Sequence, residues 1–145
     1  MTGSSMTGRP DIHYNGDLLP LHLVFYAGDY SGGAFSVRWN GEALLVEETP
    51  GGNFNSISRA ITPGPERWES FWKEIEATGA WSWDETYANP HGCCGATYWQ
   101  LVLDSGARAI CCSGEDRFPG GESTELTPDF RALVNAVKTL CGNAP

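Results

Sequence analysis

The chain has 145 residues, 41% hydrophobic and 12% aromatic, enough to fill one packed core and too apolar for a disordered segment. Its formal charge is -9, from 18 acidic against nine basic side chains. The bases are scattered rather than clustered, which speaks against nucleic acid and anionic membranes as partners. No apolar run approaches the roughly 18 residues of a spanning helix. The N-terminus also lacks the charged-then-apolar layout of a signal segment. A soluble, cytoplasmic protein is expected.

Residues 1–17, rich in Gly, Ser, Thr and Asn, read as a flexible arm ahead of a single domain spanning 18–142. Residues 22–27 predict a first strand, and the glycines from Gly28 to Gly33 supply turn chemistry after it. Asn40-Gly41 sits between two alternating runs, 34–39 and 42–47, and predicts a hairpin with a type I′ turn. That turn would pair Val37 with Leu44 and Phe35 with Val46. These four then share one face, while Ser36, Arg38, Ala43 and Leu45 share the other. Residues 54–61 fit another short strand, with Phe54 and either Ile57 or Ile61 pointing inward.

Trp68, Phe71, Trp72 and Ile75 stand at i, i+3, i+4 and i+7, which is one face of a helix. Pro65 suits the first turn of that helix, and Gly79 suits a left-handed cap at its end. Residues 81–87 repeat the aromatic richness at strand spacing, with Trp81, Trp83 and Tyr87. A loop carrying His91, Cys93 and Cys94 follows. Residues 97–104 and 107–112 then predict a second hairpin about Ser105-Gly106, pairing Leu101 with Ile110. Thr127 is a good N-cap, Pro128 a good first helical residue, and Phe130, Leu133, Val134, Val137 and Leu140 make an apolar stripe that ends at Gly142. Strands joined by tight turns are antiparallel. The expected fold is therefore a two-layer α+β domain: a mainly antiparallel sheet of five to seven strands with two amphipathic helices on one face.

Four sets of residues could carry chemistry. His91, Cys93, Cys94, Cys111 and Cys112 include enough nitrogen and sulfur ligands for zinc. The Cys-x-x-Cys knuckle is missing, however, and adjacent strand cysteines point to opposite faces. His91 beside Cys93 also satisfies the first need of a catalytic thiolate, but no third orienting residue is indicated. The carboxylate pairs Asp84-Glu85, Glu47-Glu48 and Glu115-Asp116 read as solvated edges, and Asp84, between Trp83 and Tyr87, has the most apolar neighbours. Finally, Trp39, Trp81, Trp83, Tyr87, Tyr98 and Trp99 exceed what one helix-covered face needs, so some of them fit an uncovered, ligand-facing side. The odd count of five cysteines fits free thiols better than a complete disulfide framework.

The pieces Trp68-Glu-Ser-Phe71, Trp83-Asp-Glu-Thr-Tyr87, Gly95-Ala-Thr-Tyr-Trp99 and Gly114-Glu-Asp-Arg-Phe-Pro119, with the final helix 130–140, resemble small α+β domains of bacterial and phage type. Cys94-Gly95 stands where such domains often have Asp-Gly. The resemblance implies the fold and brings no catalytic residue with it. Together these readings predict a non-enzymatic, acidic binding domain with no metal and no cofactor. Its partner would be a protein or a small polar ligand, in a setting such as immunity or anti-defence sequestration. The expected binding residues are Trp83, Asp84, Tyr87, His91 and Arg38. The alternative is a small thiol- or zinc-dependent enzyme centred on His91, Cys93 and Cys94.

Overall fold

A computed structural model describes residues 18–29, 33–50, 55–90 and 97–142. The expected arm at 1–17, Phe54, His91, Cys93 and Cys94 lie outside the described residues. Seven strands form one sheet: β1 (His22–Asp29), β2 (Ala34–Trp39), β3 (Leu44–Thr49), β4 (Ile57–Ile61), β5 (Thr86–Tyr87), β6 (Thr97–Asp104) and β7 (Ala109–Glu115). Two helices, α1 (Pro65–Thr78) and α2 (Pro128–Leu140), complete the described elements of an α+β fold. The order across the sheet is β4-β3-β2-β1-β6-β7-β5. Every pairing is antiparallel except that of β5 with β7. β1 lies at the centre, flanked by β2 and by β6, a partner far along the chain.

Alternation decides which side of the sheet becomes core. Leu23 and Phe25 of β1, Val37 of β2, Leu44 and Val46 of β3, and Trp99, Leu101 and Leu103 of β6 are all buried on the helix-covered side. α1 meets them through Trp68, whose ring stands edge-on to Trp39 at 5.4 Å. α2 does so through Phe130, 5.0 Å from Trp99 and 6.2 Å from Phe25. Burying an aromatic or aliphatic side chain of this size contributes roughly 1.5–3 kcal/mol, so this layer is the main source of the fold's stability.

Both hairpins turn one residue later than expected. Asn40 N–H donates to Ala43 O at 3.1 Å and Ser105 N–H to Arg108 O at 2.9 Å, leaving Gly41-Glu42 and Gly106-Ala107 as the turn residues. The glycines take φ of +100° and +94° and the residues after them do not, which is the type II′ pattern rather than type I′. A side chain causes the shift in each case. Asn40 Oδ1 accepts from the Glu42 and Ala43 amides at 2.8 Å, and Ser105 Oγ accepts from Ala107 and Arg108 at 3.3 and 3.1 Å. Val37 consequently pairs with Val46 and Leu101 with Cys112. A displacement of two residues leaves every side chain on the face expected for it.

One expectation fails. Residues 81–87 are not one strand: Gly79, at φ +74°, turns the end of α1 directly into a 3-10 turn at Ala80–Ser82, and only Thr86 and Tyr87 reach the sheet. That turn lays Trp81 nearly parallel to Trp72, with ring centroids 6.3 Å apart. In β4, Ile57 and Ile61 share one face, opposite Glu48 and Leu44; Ile61 packs on the core, one of the two placements expected, while Ile57 at the start of the strand is 63% exposed. The caps behave as expected: Pro65 opens α1, and the Thr127 hydroxyl accepts from Phe130 N–H at 3.2 Å to open α2.

Candidate functional site: an open sheet face and a polar cleft

Both helices lie on one side, and among the described residues the side chains on the other side of the sheet are exposed or half-buried. The registers set its residues in rows. Cys111, Val102, Val24, Arg38, Leu45 and Ala60 line up across β7, β6, β1, β2, β3 and β4. The next row contains Gln100, Tyr26, Ser36, Glu47 and Ser58. Tyr26 tilts against Tyr98 at 6.0 Å. Its ring also lies over Gly28, where any side chain would collide with it. The central part of these rows walls a shallow concavity of about 630 Å³, whose lining includes Tyr26, Arg38, Leu45, Glu47 and Gln100. Arg38 is exposed there and makes no ion pair with any described residue. Glu47 accepts from the Ser58 hydroxyl at 3.4 Å. Asp104 and Glu115 share the face at its ends, opposite Ala109 and Tyr98.

Trp83, Asp84 and Tyr87 come together elsewhere. Tyr87 is buried on the core side, with its ring 5.7 Å from Trp99, and Trp83 stands edge-on to the same indole at 6.3 Å. The expectation that these two rings line an uncovered face is thus corrected. The end of α1 and its 3-10 turn bring them beneath the helices, where Trp99 gives them an apolar surface to bury. Arg38 lies on the opposite face, so the five expected residues do not form one site, and His91 is outside the described residues.

Beside Tyr87 opens a polar cleft of about 540 Å³, walled by Asp84, Tyr87, Arg117, Gly120, Gly121 and Glu122. The Tyr87 hydroxyl accepts from Asp84 N–H at 2.9 Å. Burial pushes the pKa of that hydroxyl up, and the backbone hydrogen bond opposes the shift in part. Arg117 Nε donates to Gly121 O at 3.3 Å, and its guanidinium carbon stands 5.7 Å from the centre of the Tyr87 ring. Arg117 is also held through its carbonyl, which accepts from the Trp99 indole N–H at 2.8 Å across Gly114. Asp116, at φ +50°, fixes the start of this loop by accepting from both the amide and the hydroxyl of Thr97, at 2.8 and 2.9 Å. Sequence reasoning missed Arg117 because nothing local marks it: its place beside Tyr87 depends on β5 pairing with β7.

The described thiols are dispersed. Cys111 is exposed on the open face, Cys112 points into the core, and Cys141 is buried at the end of α2. Burial pushes Cys112 up to about 12 and Cys141 up to about 11, the wrong direction for a nucleophilic thiolate. Among the described residues no group of three His, Cys, Asp or Glu side chains is placed to hold a metal ion, and no helix is long and apolar enough to cross a membrane. No family model matches the chain, and no curated protein does either.

Proposed function

We propose that this protein is an interaction domain that binds a basic partner protein through the open face of its sheet. One observation carries the reading: a seven-stranded sheet covered on one side presents, on the other, Val24, Tyr26 and Leu45 beside an Arg38 that has no ion pair among the described residues, with Val102 and Tyr98 farther along the same face. Tyrosine and arginine on an aliphatic ground, with charges at the margin, is the composition of an interface centre and rim. Glu47, Asp104 and Glu115 supply that margin, and the net charge of -9 would steer a cationic protein toward it. Arg38 would take a carboxylate or a carbonyl from the partner. Sequestration of a basic effector, as in immunity or anti-defence, is the setting such a surface suits.

The alternative, a thiol- or zinc-dependent enzyme, rests on His91, Cys93 and Cys94, which lie outside the described residues. Two of the three described thiols are buried, which leaves that reading without further support.

The test is position-specific photocrosslinking in the cell of origin, with the reactive side chain placed at Tyr98 or, as a control, at Lys73 on the solvent side of α1. The expected result is one basic protein captured from position 98 and not from position 73, with the adduct lost in an Arg38→Glu background. Equal capture from both positions, or capture indifferent to Arg38→Glu, overturns the reading.

A further inference from the structure

We propose that the cleft beside Tyr87 is a second binding site, separate from the open face, for a small zwitterion: a free amino acid or a short peptide. Charged groups on its walls are left unsatisfied by the described residues. Arg117 uses Nε on Gly121 O and its flat face on Tyr87. Its two terminal nitrogens make no hydrogen bond or ion pair with any described residue. Asp84 and Glu122 line the same cleft, and their carboxylates are likewise unengaged among the described residues. An arginine with two carboxylates on the same walls would ordinarily close an ion pair. Here the guanidinium is held by a backbone carbonyl and a ring, and the Asp84 backbone amide is tied to the Tyr87 hydroxyl, which fixes where its carboxylate starts from. The space between them is about 540 Å³, within the range that small-ligand sites occupy.

A zwitterion completes both halves at once. Its carboxylate accepts from the guanidinium fork, which presents two parallel donors to a planar anion. Its ammonium donates to Asp84 and Glu122. A simple anion would satisfy Arg117 and meet two carboxylates of its own sign, and a simple cation would meet the opposite conflict. The cleft therefore discriminates by requiring both charges. Because Arg117 is already held by the Gly121 carbonyl and the Tyr87 ring, little ordering of that side chain accompanies binding.

The test is an amide NMR titration of the full chain with glycine and glycylglycine, set against N-acetylglycine, which keeps only the carboxylate, and glycinamide, which keeps only the ammonium. The expected result is saturable shifts at Gly120, Gly121 and Tyr87 with the zwitterions, and binding weaker by roughly tenfold or more for each one-charge relative, since each loses a charged hydrogen-bonded group. Arg117→Met and Asp84→Asn should each weaken glycylglycine by a similar factor. Glu122→Gln, on an exposed loop and without contact to the Tyr87 ring, gives the same test in a variant whose folding is not in question. Equal binding of N-acetylglycine makes this an anion site, and equal binding of glycinamide makes it a cation site. Either result overturns the proposal, as does the absence of saturable shifts with both zwitterions. None of these outcomes bears on capture at Tyr98, so this proposal and the open-face reading stand or fall separately.

Discussion

Gly114 shows how much one missing side chain decides. A methyl group there would collide with the Trp99 indole nitrogen and with the Arg117 carbonyl, the two ends of the hydrogen bond that ties β6 to the loop after β7. Gly114→Ala should therefore destabilise the protein by about 2–3 kcal/mol, from overpacking together with a strained buried donor, read as a lower urea midpoint at unchanged slope. The buried thiols make a second prediction at this scale. Cys112 and Cys141 have folded pKa values raised to about 12 and about 11, above an unfolded value near 9. A raised folded pKa gives stability that is complete below the unfolded value and lost as pH rises toward the folded one. Stability should thus be flat below about pH 8 and fall above about pH 9, by about 1.4 kcal/mol per pH unit for each thiol. Urea titrations at stepped pH check this, and Cys112→Ala should remove one thiol's share of the slope. At pH 8 a thiol reagent should modify Cys111 and spare Cys112 and Cys141 until the chain unfolds.

At the scale of elements, the join between α1 and the sheet is a stack of rings. Trp68, Trp72 and Trp81 lie nearly face to face, at 6.4 and 6.3 Å, and the Arg108 guanidinium lies over Trp81 at 4.7 Å while pairing with Glu76. Arg108 arrives from the β6–β7 turn, so the stack fastens that hairpin to the helix end. Both members of the Arg108–Glu76 pair are more than half exposed, so the ion pair itself contributes little. Arg108→Ala should cost about 1 kcal/mol, mostly from the lost cation–π contact, and should alter the near-ultraviolet circular dichroism of the tryptophans. Loss of stability without that spectral change would show that the stack forms without its arginine. The turns belong to this scale too. Gly41 and Gly106, at φ +100° and +94°, occupy a region that costs other residues about 1–2 kcal/mol, so Gly106→Ala should lower stability by about that amount in a thermal melt.

For the whole molecule, the prediction rests on two neighbours in β6 that face opposite ways. Leu101 is fully buried beneath the helices, and Val102 lies on the open face opposite Val24. Leu101→Ala should cost about 2–5 kcal/mol. Val102→Lys should change stability by less than about 1 kcal/mol and abolish capture at Tyr98. If Val102→Lys unfolds the protein as Leu101→Ala does, the open face is core rather than interface. Much of this layering was legible in the residues themselves. The alternation in 34–39, 42–47 and 97–104 assigned side chains to faces, and the 3.6 period after Pro65 and after Pro128 assigned each helix its stripe. Even the misplaced turns preserved those assignments, since a two-residue slip returns a strand to the same face. The candidate site was read less well. Trp83 and Tyr87 were recognisable as surplus aromatics, but their burial against Trp99 was not, and Arg117 carried no local signal at all.

The sequence by itself determined the two helices with their caps, the two hairpins to within one residue of their turns, and the face each side chain of those strands takes, because periodicity and turn chemistry act over a few residues. Only the tertiary structure decided that β1 sits between β2 and β6, that β5 joins β7 in parallel, and that Arg38 and Tyr87 end on opposite sides of the sheet. Those outcomes follow from how two helices and seven strands bury one shared apolar layer. That competition between distant segments leaves no mark in any one of them.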